Sequence, residues 1–303
     1  MRARAPGKIV ISGAYAVLEG APALVAAVDR YATADNGRPP VRRTAEIDAA
    51  IRAGFLRETP WFDASPLRSA KADGDRKLGL GSSAAVLVAA LATDALDKSE
   101  PPSNLAEDVF PRALAAHQKA QHGGSGVDVA ASCHGGVLRC QRDGEGQLQV
   151  EPWVLPPAVV VEVFAYDEAA ATAEMVAAVA HFAQRSPVEY GARMGVLRSL
   201  AGEACESASA EAWLDTMARQ YEALADLGDA AGVSVVDAAG RELAALARSQ
   251  GGCFGPAGAG GGDVAVWLGA TVSPQKFRAR ADELGLSLLP LRTGVRGVHK
   301  TDA

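Results

Sequence analysis

The sequence predicts an α+β fold in two domains, and three of its features carry that expectation. At 303 residues the chain is longer than one ordinary domain. Short apolar runs separated by glycine turns are mixed with alanine-rich helical stretches, without the regular strand–helix repeat of a parallel α/β sheet. Near the middle, Pro152-Trp-Val-Leu-Pro-Pro157 breaks the pattern ahead of a fresh apolar run, which divides the chain into domains 1–157 and 158–303.

The elements follow in order. Residues 8–12, Lys-Ile-Val-Ile-Ser, and residues 22–33 read as strands, because each is a short apolar run with a glycine-containing turn between them. Residues 34–43 are polar, include Gly37, Pro39 and Pro40, and form a loop. A helix is expected near 44–55 and a strand near 61–69. Ala72-Asp-Gly-Asp75 punctuates the chain before Ser82 to Leu96 turns alanine-rich and helical. Another helix spans about 103–121. At 129–140 a helical turn gives way through Gly135-Gly136 to a strand, with a hairpin partner near 147–151. The second domain opens with the strand Val159–Ala165. Helices at about 170–184, 188–205, 208–227 and 236–249 and strands near 263–269 and 286–292 follow. No fixed-period repeat is present.

Composition narrows the function classes. The net charge of −6 offers no basic field for nucleic acid. No run reaches the roughly 18 apolar residues of a membrane span, and Pro6, Gly7 and Lys8 interrupt the apolar stretch that a signal peptide needs. Cys133, Cys140, Cys205 and Cys253 are too sparse for a disulfide scaffold and read as reduced thiols of a cytoplasmic protein. His117, His122, His134, His181 and His299 show no metal-ligand spacing and are read as structural.

Three glycine-rich segments suit chemistry. In Lys77-Leu-Gly-Leu-Gly-Ser-Ser-Ala-Ala-Val86, glycines lie at the entry to a helix, where unsatisfied amides and the positive end of the dipole favour a phosphate. The segment lacks the Gly-Lys-Ser/Thr ending of a Walker A loop. A helix capped after a glycine turn explains it equally well on its own. In Ala257-Gly-Ala-Gly-Gly-Gly-Asp263, four glycines in five positions precede a strand, a costly arrangement unless the loop wraps a ligand. In Gly123-Gly-Ser-Gly-Val-Asp-Val-Ala130, Asp128 either caps a helix or orients or deprotonates an attacking group. Lys8, near the start of the first strand, is its natural partner for neutralising phosphate charge.

Taken together and in this order, Ala5-Pro-Gly-Lys-Ile-Val-Ile-Ser-Gly-Ala-Tyr-Ala-Val-Leu-Glu-Gly20, Gly79-Leu-Gly-Ser-Ser-Ala-Ala85 and Gly258-Ala-Gly-Gly-Gly-Asp263 resemble the three motifs of the GHMP kinases, the superfamily of galactokinase, homoserine kinase, mevalonate kinase and phosphomevalonate kinase. The resemblance spans nearly the whole chain. It implies an N-terminal domain of the ribosomal-protein-S5 type and a C-terminal ferredoxin-like domain, with ATP and a small-molecule acceptor in the cleft and Mg2+ as cofactor. Gly79, Leu80, Gly81, Ser82, Ser83 and Ala84 fall on the family's phosphate loop, and Ser83 on its magnesium-associated serine. Lys8 and Asp128 fall on the catalytic pair. Tyr15, Ser125, Gly126, Gly258, Ala259, Gly260 and Gly261 fall on the acceptor side of the cleft.

Two departures stand out. Many members carry Gly-Glu-His or Gly-Glu-Tyr where this chain has Gly13-Ala14-Tyr15, so any role of that glutamate is absent. His117 stands about where mevalonate kinases place a magnesium-binding glutamate, which removes one carboxylate of that arrangement. Ala116-His-Gln-Lys-Ala-Gln121, Gly124-Ser-Gly-Val-Asp-Val-Ala-Ala131 and Asp263 are similar to the phosphomevalonate kinase branch. The reaction this implies is ATP-dependent conversion of 5-phosphomevalonate to 5-diphosphomevalonate, with mevalonate as the alternative acceptor. A phosphorylated acceptor needs a cation, and Arg193, on an expected helix of the second domain, is the candidate. Homoserine kinase, diphosphomevalonate decarboxylase and, outside enzymes, an inactive ATP-binding regulator are the competing readings. The sequence carries no signal for oligomeric state.

Overall fold

Two long apolar runs open the chain and pair with each other. β1 (Arg2–Ser12) and β2 (Ala23–Asp35) are antiparallel, with irregularities between Pro6 and Gly7 and between Val10 and Ser12. Proline cannot donate to the ladder, so the first irregularity falls where a paired N–H is missing. Its consequence reaches the site: Gly7 lies against the Leu80 carbonyl, which a Cβ there would meet at 2.6 Å, and the Lys8 N–H donates to that carbonyl at 2.9 Å. The computed structural model describes residues 1–40, 42–71, 74–167 and 172–301. Val41 of the expected loop, Ala72 and Asp73 of the expected break, and residues 170 and 171 of an expected helix lie outside them.

α1 (Ala45–Arg52), β3 (Trp61–Asp63) and a hairpin of β4 (Arg68–Lys71) with β5 (Gly74–Lys77) lead to α2 (Ser82–Leu96). α2 is apolar nearly all round and almost wholly buried, as a central helix must be. α3 (Leu105–Ala120), α4 (Val127–His134), β6 (Val137–Arg142) and β7 (Leu148–Pro152) complete the first half. The expected single strand at 61–69 is instead β3, a short 3₁₀ turn at Ser65–Leu67 and the start of the hairpin. Pro66 ends the extended run, and Gly74 lies where the hairpin turns back.

β8 (Val160–Tyr166) starts a second sheet, followed by α5 (Thr172–Arg185), α6 (Pro187–Glu206), α7 (Ala210–Ala231) and α8 (Ala238–Ser249). β9 (Gly252–Pro256), β10 (Val264–Gly269), α9 (Gln275–Glu283), β11 (Leu286–Leu289) and β12 (His299–Lys300) close the chain. The second sheet is antiparallel in the order β11-β8-β10-β9, the ferredoxin-like arrangement with extra helices between its first two strands. Phe164, Phe254, Trp267 and Phe277 meet edge to face beneath it, with ring centroids 4.8–5.7 Å apart.

The first sheet runs β12-β1-β2-β6-β7, so the last strand of the chain returns beside the first. Sequence reading does not anticipate β12, β9 or α9. β9 is an edge strand, which is why it tolerates Gly252, Gly255 and Pro256. α9 buries only Phe277 and Ala281, one helical turn apart, too thin a stripe to stand out. Among the described residues no helix is long and apolar enough to cross a membrane.

Candidate active site

The start of α2 is built to receive an anion. Gly79 and Gly81 hold φ values of 70° and 73°, which glycine adopts at no steric cost. Gly81 is the N-cap and no side chain caps the helix, leaving its first N–H groups open. Gly81 is also where Lys8 passes: a Cβ there would lie 3.0 Å from Lys8 Cγ and 3.2 Å from Cε. Lys8 Nζ donates to the Gly79 carbonyl at 3.2 Å. Asp263 closes the other side of Gly79, where a Cβ would meet its Cβ at 2.6 Å and its Oδ2 at 2.8 Å. The first and third glycine motifs therefore bracket the second.

A cavity of about 330 Å³ opens beside this helix end, lined by Ser82, Ser83, Arg42, Arg43, Arg68 and Lys77. Arg42 also stacks over Phe62, 4.9 Å from the ring centroid. These cations, with Glu46 the one carboxylate in the lining, suit a polyphosphate, and no motif marks them because they come from a polar loop and a hairpin. Leu80 and Ala84 are buried in the core and contribute to the loop through their backbones.

Asp128 sits in the first turn of α4, whose N-cap is Gly126 at φ 81°. A side chain on Gly126 would collide with Leu114 of α3, so the tight turn lets the two helices meet. The Asp128 carboxylate accepts the Val129 N–H at 3.0 Å, and its Oδ2 lies 3.2 Å from His117 Nε2. His117 is 2% exposed, and among the described residues neither Nδ1 nor Nε2 makes a hydrogen bond of good geometry, so its contact with Asp128 is one of charge and proximity. Glu46, also buried, accepts from Gln121 at 3.4 Å and adds negative charge near the imidazole. His117, read from the sequence as structural, stands beside Asp128 in the structure. The signal that could have found it is the spacing of the α3–α4 hairpin, which sets His117 across from Asp128.

The charges hold one another. Burial pushes the Asp128 carboxyl up, but the close-lying His117 imidazole and its charge, Lys8 and the Val129 N–H together leave it below the usual aspartate value. Burial pulls His117 down, and Asp128 with Glu46 overcomes that and leaves it raised. For Lys8 burial wins: its ammonium is held below the usual lysine value although Asp128 and Asp263 pull the other way.

The third loop is tied to the first motif. Tyr15, itself at φ 59°, donates its hydroxyl to the Ala259 carbonyl at 2.7 Å, and burial pushes that hydroxyl up to about 12. The Gly13 N–H donates to Gln220 Oε1 of α7 at 3.1 Å, a second tie to the later half of the chain. Gly258, Gly260 and Gly261 take positive φ values, and the Gly261 N–H donates to Val235 at 3.1 Å. The Ser125 and Gly124 carbonyls accept from Arg142, which braces the turn before Asp128. Arg193 lies in the helical layer instead: it pairs with Glu189 at 3.0 Å and donates to the Asp226 carbonyl at 3.3 Å.

No protein-family model matches the chain. Among characterised relatives, the phosphomevalonate kinase of a Streptomyces species is 27% identical over 366 residues, covering 97% of both chains. The mevalonate kinase of Archaeoglobus fulgidus is 30% identical over 248 residues, covering 75% of this chain and 80% of the relative. Among solved structures, Streptococcus pneumoniae phosphomevalonate kinase in complex with phosphomevalonate and AMPPNP superimposes with a TM-score of 0.75 at 18% identity, over 97% of this chain and 99% of that one.

Proposed function

The chain belongs to the GHMP kinase superfamily, and from that premise we propose that it transfers the γ-phosphoryl group of ATP to the 5-phosphate of (R)-5-phosphomevalonate. It is a small-molecule kinase, and its relatives point to a substrate of the mevalonate pathway. The observation that carries the finer reading is His117 beside Asp128. A carboxylate at that position would add negative charge, whereas an imidazole of raised basicity adds positive charge next to Lys8. Such a site suits an acceptor that is itself a phosphate. The full-length likeness to a phosphomevalonate kinase points the same way.

The chemistry is an in-line displacement. The bond from the terminal phosphorus to the bridging oxygen of ATP breaks, its electron pair leaves on ADP, and an acceptor oxygen bonds to the phosphorus. A phosphate monoester is mostly dianionic at neutral pH, because its second ionisation lies near 6. Little proton removal is therefore needed, and the low basicity of Asp128 fits a carboxylate that orients Lys8 and the acceptor. A mevalonate hydroxyl would ask for a stronger base. The α2 amides and the cations of the adjoining cavity hold the triphosphate, while Lys8 spreads positive charge over the transferring group.

Magnesium accompanies ATP in this reading. Among the described residues no three His, Cys, Asp or Glu side chains converge as a metal cage. Mg2+ commonly takes one or two protein oxygens and completes its shell with phosphates and water. Ser83 and Asp128 are the oxygens this chain offers.

Mevalonate is the second reading, favoured by the Archaeoglobus relative. Coupled ADP-release kinetics with both acceptors decide between them. A kcat/KM for mevalonate equal to or above that for phosphomevalonate overturns the proposed acceptor and leaves the kinase assignment standing.

A further inference from the structure

One side chain in the cavity beside α2 has the opposite sign to its surroundings. The lining supplies Arg42, Arg43, Arg68 and Lys77 with the Ser82 and Ser83 hydroxyls, and a single carboxylate, Glu46. Glu46 lies in the first turn of α1, where an acid suits the helix dipole. The dipole accounts for an acid in that turn, but not for where this one lies. Asp48, the other acid of the turn, is partly exposed and pairs with Arg43 at 3.5 Å. Glu46 is only 7% exposed and borders the cavity.

The carboxylate is fixed in place and charged. Gln121 Nε2 donates to its Oε1 at 3.4 Å, and the Thr44 hydroxyl and its own backbone N–H also donate to it. Burial pushes the carboxyl up, but these bonds and the nearby His117 charge leave it below the usual glutamate value. Gln121 follows His117 by one turn of α3, so the helix that sets an imidazole beside Asp128 also holds Glu46 at the cavity wall.

A negative charge held beside a polyphosphate repels it, and more strongly at a buried side chain than in open water. A divalent cation on the phosphates reverses the effect, because it neutralises part of their charge and presents its own to the carboxylate. A penalty against the wrong ligand is one of the two ways to build specificity. We propose that Glu46 is a specificity-determining residue, which makes the nucleotide site select the magnesium complex of ATP over the bare triphosphate. It acts through charge across the cavity and needs no bond to the metal. The inference rests on the reading of this cavity as the triphosphate site and is independent of which acceptor is phosphorylated.

Calorimetry of AMPPNP binding to the full chain tests it, once with excess Mg2+ and once in EDTA, in the parent and in Glu46→Gln, which keeps the shape and removes the charge. In Glu46→Gln, metal-free AMPPNP is expected to bind about 3-fold to 10-fold more tightly than in the parent. The magnesium complex binds no more tightly than in the parent, so the gain from magnesium shrinks by at least that factor. A carboxylate that only caps α1 gives another result: both affinities fall together and the gain from magnesium is unchanged, which overturns the proposal. Metal-free binding equal to the parent's overturns it as well. If the parent binds AMPPNP in neither condition, the triphosphate reading fails and takes this inference with it. If Glu46→Gln does not fold, Glu46→Ala is measured in its place, with Thr44 still capping α1 through the Ile47 N–H, and the same results overturn the assignment.

Discussion

Asp128 is held ionised against its own burial, and the group that does most to hold it is His117. Asp128→Asn keeps the shape and removes the charge that supports both His117 and Lys8. We expect a folded protein whose kcat falls about a hundredfold, the lower end for a positioned acid–base group. Normal turnover in that variant would remove Asp128 from the mechanism. His117→Gln tests the pairing itself, because glutamine can still donate but carries no charge. Without the imidazolium the Asp128 carboxyl rises, so the acid limb of kcat/KM against pH moves to higher pH. A profile that stays in place counts against the pair. Stability carries the same signature. Asp128, depressed on folding, contributes above its ordinary 3.8 and loses that contribution as pH falls through its folded value. His117, raised on folding, contributes fully below its ordinary 6.5 and loses it as pH rises through its folded value. The difference in melting temperature between parent and His117→Gln is therefore expected to be largest between those two values and to shrink on either side.

At the scale of elements, α2 and its glycine entry bind the site together. Gly81→Val would force a β-branched residue to φ 73°, a strain of about 1–3 kcal/mol, and drive its Cβ into the Lys8 stem. Both nucleotide affinity and kcat are expected to fall, and calorimetry showing parent-like ATP binding would detach the loop from the triphosphate. Much of this element was legible: alanine density and the glycine turn give Ser82 to Leu96, the span the helix occupies. Lys8, Gly79 and Asp263 were legible as separate motifs, but not as neighbours, since only the irregularity at Pro6–Gly7 shows how β1 meets the loop. Arg42, Arg43, Arg68 and Lys77 were not legible. A cation in a polar segment looks like a solvated charge until the fold shows which cavity it lines. His117 escaped for a related reason. Its partner is a carboxylate on the next helix, and no metal-ligand spacing reports such a pair.

For the whole molecule, the two halves of the sequence are not the two halves of the structure. After β11 the chain leaves the second sheet and runs back along the first. Arg292 donates its N–H to Asp29 at 2.8 Å and accepts the Asp29 N–H at 3.0 Å. Gly294 donates to Ala27 at 2.9 Å, Val298 to Cys133 at 3.0 Å and Thr301 to Arg2 at 3.0 Å, while Val295 accepts from Gly136 at 2.7 Å. Arg4 donates to the buried His299 ring at 2.7 Å, and Gly297 packs so closely on Cys133 that a Cβ would overlap its carbonyl. Each such bond contributes on the order of 1 kcal/mol net. Their sum is a large share of a stability that is typically about 5–15 kcal/mol. The tail also covers β1, the strand that carries Lys8, so its loss would loosen the site along with the sheet. Ending the chain after Leu289 is therefore expected to abolish cooperative unfolding, whereas ending it after Thr301 leaves the melt unchanged. A fragment of residues 1–157 should lack a cooperative urea transition and gain one when residues 290–301 are fused to it through a flexible linker. If residues 1–157 alone unfold cooperatively at the urea midpoint of the fused form, the returning tail is decoration on a domain that was already complete.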